Sequence, residues 1–111
     1  GTFSRVLSKY VREDKVIDLN TAIEKMTLLP AKRLEGISPM MRFKGRIQVG
    51  ADADVTIFNP NTITDKATFE KGLAFSEGVE YVIVNGTVVL KSGNTVPNTF
   101  PGHAIWGKFK K

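Results

Sequence analysis

Asn85-Gly86, set between two β-branched runs at Val79–Val84 and Thr87–Leu90, constrains this chain more than any other feature. Asn followed by Gly best accepts the two positive φ angles of a type I′ turn, whose twist matches that of the strands it joins. The sequence therefore predicts a β-hairpin over residues 79–90. Asn85-Gly86-Thr87 also spells a glycosylation acceptor, but the hairpin accounts for the same letters. Upstream, "DVTIFNP" reads as a further strand, stopped at Asn59-Pro60 because proline cannot donate to a ladder. Between that strand and the hairpin, "NTITDKATFEKGLAFSEG" is a long excursion, read as loop with a turn of helix. Gly50 closes a turn just ahead of the strand.

Before Gly45 the hydrophobic period is helical. Phe3, Val6, Leu7, Tyr10 and Val11 fall at i, i+3, i+4, i+7 and i+8, which predicts one apolar face with Arg5, Lys9 and Arg12 turned outward. Asp18 is placed to cap a second helix with the face Leu19, Ala22, Ile23 and Met26. "LLPAKRLEG" predicts a short third helix with Pro30 at its first position and Gly36 ending it. "ISPMMRFK" reads as a connector. The expected class is α+β, with helices over 1–45 and strands over 46–111, and no repeats.

Charge and composition narrow the function classes. The net charge of +5 is spread along the chain: residues 1–45 carry nine Lys/Arg against five Asp/Glu, residues 46–107 four against six, and the tail "KFKK" three more positives. No basic stripe interleaves with aromatics as single-strand binding requires, so no nucleic-acid partner is expected. No apolar run approaches the roughly 20 residues of a membrane helix, so no membrane partner is expected either. Cysteine is absent, which fits a reducing compartment and favours the cytoplasm. The chain opens at Gly1 without an initiator Met or a signal pattern, and helical periodicity is already under way by Phe3. A true start is therefore expected upstream.

The chain has few groups for catalysis. A metal site needs several convergent ligands, and here a single His, His103 in "PGHAIWG", has no acidic or second imidazole partner within eight residues. Ser4, Ser8, Ser38, Ser76 and Ser92 lack the elbow of a nucleophilic serine. Phosphate-cradling glycine loops are absent. That leaves Asp52 and Asp54 in "GRIQVGADADVTIFNP". Acid/base work by a carboxylate pair needs an enclosing pocket and unequal environments. Two acids at the entrance of a solvated strand suit turn and strand-start structure instead. No catalytic, cofactor-binding or metal-binding residue is therefore assigned.

"GRIQVGADADVTIFNP" followed by "VEYVIVNGTVVLKSG" resembles the C-terminal end of amidohydrolase-superfamily enzymes. In those enzymes a Gly-x-Ile-x-x-Gly-x-x-Ala-Asp strand and a Val-Asn-Gly hairpin belong to a small β-sandwich beside a metal-dependent (β/α)8 barrel. "GTFSRVLSKYVREDKVIDLNTAIEKMTLLPAKRL" is similar to the last barrel helices of the D-aminoacylases, the N-acyl-D-amino-acid deacylases. "DKATFEKGLAFSEGVEYVIVNG" and "PGHAIWG" resemble their loop before the final hairpin and their Pro-Gly ending. The likeness covers nearly the whole chain. It departs at "GISPMMRFKG", longer than the usual link, and at His103, where Arg is expected.

The resemblance implies that 1–45 ends a (β/α)8 barrel and that 46–111 is the C-terminal portion of the sandwich. It implies that every metal ligand and the catalytic aspartate lie upstream of Gly1, at the C-terminal ends of barrel strands. The implied chemistry is attack of a zinc-bound water on the amide of an N-acyl-D-amino acid, with an aspartate moving the proton. Zinc is thus expected in the longer protein, and no cofactor in this chain. The expected partners are the rest of the polypeptide, including its barrel and N-terminal sandwich strands, and the small-molecule substrate. The piece alone is expected to be inactive and open to self-association. The rival reading is a stand-alone helix-plus-sheet binding module with no enzyme parent.

Overall fold

The computed structural model describes residues 1–109, so Lys110 and Lys111 of the basic tail lie outside the described residues. All helices precede all strands. Helix α1 runs Thr2–Arg5 and continues in π geometry over Val6–Glu13. Helix α2 is Leu19–Met26, α3 is Leu28–Leu34, and a 3-10 turn at Pro39–Phe43 forms the connector. Strands β1 (Val55–Phe58), β2 (Val79–Val84), β3 (Thr87–Lys91) and β4 (Asn94–Thr95) form one antiparallel sheet in the order β1-β2-β3-β4.

The first helix departs from its sequence in both bonding and buried face. Asp14 N–H donates to Lys9 O five residues back, at 2.7 Å, rather than four back. The buried positions are Ser4, Leu7 and Ser8. Phe3 and Tyr10, expected on the apolar face, are 65% and 42% exposed. Arg12 was expected to point outward. It reaches the excursion instead and donates to Ile63 O at 2.7 Å and Pro60 O at 3.1 Å.

Helix α2 follows its sequence closely. Asp18 is extended, and its carboxylate accepts from Thr21 N–H at 3.0 Å and from the Thr21 hydroxyl at 2.6 Å. Those bonds, the hydroxyl's foremost, hold the Asp18 carboxyl below its ordinary range. In α3 the start lies two residues earlier than predicted. Thr27 precedes the first turn and Pro30 is its third residue, where a missing N–H is still harmless because the first four amides have no intrahelical partner. The helix stops at Leu34 through amides of Ile37 and Ser38 that both close on Leu34 O, without a left-handed cap at Gly36.

The Asn85-Gly86 turn forms as expected, with φ of 51° and 80°. A second turn of the same kind, Ser92-Gly93 (φ 49° and 75°), folds β4 back on β3. In the excursion, Asn59 closes a tight turn by accepting from the amides of Thr62 and Ile63, and Thr64 bridges Glu77. Two glycines permit close approach. Gly45 (φ 68°) sits against the Thr27 carbonyl, and Gly78 (φ 83°) lies where a Cβ would meet the Ile63 backbone at 2.5 Å.

The core joins both halves: Leu7, Ala22 and Ile63 are buried, with Val11, Ile23, Met26, Phe58 and Val79 packed around them. It is small for the chain. The accessible surface is 8299 Å², where a self-standing monomer of this mass shows about 6,100 Å². The radius of gyration is 15.4 Å, against about 13 Å for a compact domain of this length. No described helix is long and apolar enough to cross a membrane.

Candidate functional site

Asp52, Asp54 and His103 meet at one place, where the connector reaches the sheet. Lys44 leaves the 3-10 turn and places its ammonium 2.6 Å from Asp54 Oδ2 and 2.9 Å from Asp52 Oδ2. The other oxygen of Asp54, Oδ1, accepts the Asn85 N–H at 2.8 Å. Next to it Gly86 N–H donates to Ala53 O at 3.0 Å, and Asp52 N–H to Phe43 O at 2.9 Å. The two most recognisable stretches of the sequence, "GADAD" and "VNG", are thus two halves of one clamp. The acidic stretch satisfies amides that the hairpin turn leaves without ladder partners.

Electrostatics fit a clamp. The hydrogen bond from Lys44 holds the Asp54 carboxyl below its ordinary range, assisted by the Asn85 amide and opposed by partial burial. The bond to Asp54 in turn raises Lys44, with Asp52 adding to it. Both shifts stabilise the charged pair. Asp54 contributes stability that is present above the unfolded value of about 3.9 and lost as pH falls through its lowered folded value. Lys44 contributes stability present below about 10.4 and lost as pH rises through its raised value. The clamp should therefore be intact across neutral pH and open first in acid, as urea midpoints taken between pH 2 and 7 would show.

His103 lines the same small hollow, about 240 Å³, together with Met40, Lys44, Asp52, Asp54 and Asn85. Sequence spacing set His103 apart from Asp52 and Asp54; the fold brings it to their hollow. The connector and His103, the two departures from the resembled pattern, line it together. No serine does. Ser38 is instead committed to Trp106 O at 2.6 Å, and Ser8 to Arg5 O at 3.4 Å. Among the described residues no group of three His, Cys, Asp or Glu gathers as a metal site.

The arrangement supports a structural role for both acids. Asp54→Ala should lower the chain's stability by about 1–2 kcal/mol, the scale of a lost charge-assisted bond with an amide left unpaired. In a longer enzyme it should leave turnover per folded molecule nearly unchanged. A thousandfold loss of turnover at an unaltered melting temperature would assign Asp54 to the chemistry instead.

Comparison with known proteins gives the clamp a context. Residues 2–90 match the amidohydrolase family. The chain is 42% identical over 105 residues to the N-acyl-D-glutamate deacylase of Alcaligenes xylosoxydans xylosoxydans, which covers 95% of this chain and 20% of that protein. A crystal structure of D-aminoacylase superposes with a TM-score of 0.84 at 35% identity, over 95% of this chain and 21% of that one. N-acyl-D-glutamate deacylase from Bordetella bronchiseptica, solved with zinc and a phosphonate mimic of the tetrahedral intermediate, superposes with a TM-score of 0.73 at 39% identity, over 87% and 20%. The chain spans about one fifth of the length of these relatives.

Proposed function

The chain belongs to the amidohydrolase family, and from that premise we propose that it is the C-terminal part of an N-acyl-D-amino-acid deacylase, hydrolysing the amide bond of N-acyl-D-amino acids. In this reading residues 1–45 close the helical layer of a (β/α)8 barrel, and residues 46–111 are the C-terminal portion of the flanking β-sandwich. One observation carries it: nearly the whole chain aligns with only a fifth of each deacylase relative. Its uncovered surface, more than a self-standing monomer shows, supports the same reading.

Zinc belongs to this proposal for the whole protein but does not fit the residues of this chain. The lone imidazole shares its hollow with two carboxylates already paired with Lys44, and no further His, Cys, Asp or Glu lines it. No catalytic step is assigned to these residues. Their part is to hold elements in place: the Lys44–Asp54–Asn85 clamp ties connector to hairpin, and Arg5 and Arg12 tie the excursion to α1.

The test compares two proteins. The complete gene product should hydrolyse N-acyl-D-amino acids, and a zinc chelator should abolish that turnover. Residues 1–111 purified alone should show none, with or without added zinc. Chelator-sensitive turnover by the short chain would overturn the assignment, and an initiator Met directly before Gly1 would favour the stand-alone module.

A further inference from the structure

We infer that the hollow between the start of α1 and the turn at residues 65–70 is the seat of the polypeptide segment that leads into Gly1, with Phe69 as its apolar contact. The existence of such a segment rests on the proposed function; where it lies is argued from the hollow itself. The cavity measures about 610 Å³, with Thr2, Val6 and Tyr10 on the helix side and Ala67 and Phe69 on the other. Gly1 is part of its wall and packs so tightly on the Asp65 carboxylate that a Cβ there would overlap it. The residue bonded to the Gly1 amide therefore starts beside this hollow.

The far wall is held firmly although its apolar surface is bare. The Asp65 side chain is only 8% exposed, paired with Arg5 at 3.2 Å and accepting from Ala67 N–H at 3.0 Å. Arg5 also donates to Ala67 O at 3.4 Å, and Thr68 and Lys71 close a turn through bonds at 2.9 and 3.0 Å. That fixed turn presents Phe69 with its entire side chain uncovered, beside a half-exposed Tyr10. An ordered wall presenting a bare aromatic suits an occupant, and four fifths of the relatives' length lies outside this chain. A second copy would have to share the hollow with the residue bonded to Gly1. In a barrel, the segment joining a strand to its following helix runs on the catalytic face. Phe69 is then a positioning residue for that segment.

Hydrogen exchange on the complete protein tests this. Phe69→Ala should speed exchange about tenfold in the peptide preceding Gly1, as a lost contact eases local opening. Phe69→Leu should largely restore protection, and Phe100→Ala, at an exposed site outside the hollow, should change nothing there. In the unaltered protein, trypsin should cut slowly after Lys66 and Lys71. Unchanged exchange before Gly1 in Phe69→Ala, or prompt cleavage at both lysines, would overturn the inference. So would protection of residues 65–70 that appears only as concentration rises, which would seat a second copy there. Deacylase turnover measured alongside separates the two claims: an active enzyme without the coupling sinks only the seat, and coupling in an inactive protein sinks only the deacylase reading.

Discussion

Gly78→Ala should destabilise the chain by about 2–5 kcal/mol, combining a left-handed backbone for a residue with a Cβ and an overpacked contact. Gly78 has φ 83°, and the added Cβ would meet the Cα and N of Ile63 at 2.5 Å. Neither atom can yield easily. Ile63 is 3% exposed at the centre of the small core, and its amide is already bound to Asn59 O at 2.9 Å. The Gly78 carbonyl meanwhile accepts the Asn59 N–H at 2.9 Å, so a shift there would loosen the end of β1 as well. Gly72→Ala is the control: φ is not positive, and the added Cβ meets only Thr68 O at 4.0 Å, so its melting temperature should hardly move or should rise slightly. Comparable melts for the two variants would show that the Gly78–Ile63 contact does not govern the fold.

Purified alone, the chain should self-associate. It exposes about 2,200 Å² beyond the surface of a self-standing monomer of its mass, more than each partner contributes to a standard interface. The bare surface is apolar at several separate points: Ile47 and Val49 before β1, Phe69, Leu73 and Phe75 on the excursion, and Phe100 after β4. The outer edge of β1 is also free of any neighbouring strand among the described residues. Light scattering behind size exclusion should give a mass above 12.2 kDa that rises with concentration, and an apolar dye should bind. A concentration-independent monomer with a cooperative melt and no dye binding would mean that the chain closes its own core, and would favour the binding-module reading.

What the sequence disclosed was local. Asn85-Gly86 and Asp18 act within a few residues of themselves, through turn geometry and a cap, and both behave as their residue types dictate. The widened first helix was hidden because its face still carries Val6, Leu7 and Val11 at ordinary helical spacing. Ser92-Gly93 carried a turn signal, but only two residues of strand follow it, too few to show an alternating pattern. The clamp was half legible. The acids could be assigned to turn structure from their position, whereas their partners, Asn85 31 residues away and Lys44 on the connector, are set by tertiary packing. His103 beside the acids and Arg12 across the excursion belong to the same class of long-range fact.

The strand order has a consequence during synthesis. β1 emerges from the ribosome at residue 58, but its only described partner, β2, begins at residue 79 and is itself braced by β3 through residue 91. At ordinary rates of elongation that leaves Val55–Phe58 without β2 for an interval on the order of seconds, whereas a hairpin such as β2–β3 closes within about 1–10 μs once both arms are out. β1 therefore waits for a ready-made template, and its recruitment closes the long loop between them at modest entropic cost. For those seconds Val55–Phe58 lacks the β2 edge it pairs with, and a strand short of its partner is what holding chaperones and early aggregation compete for.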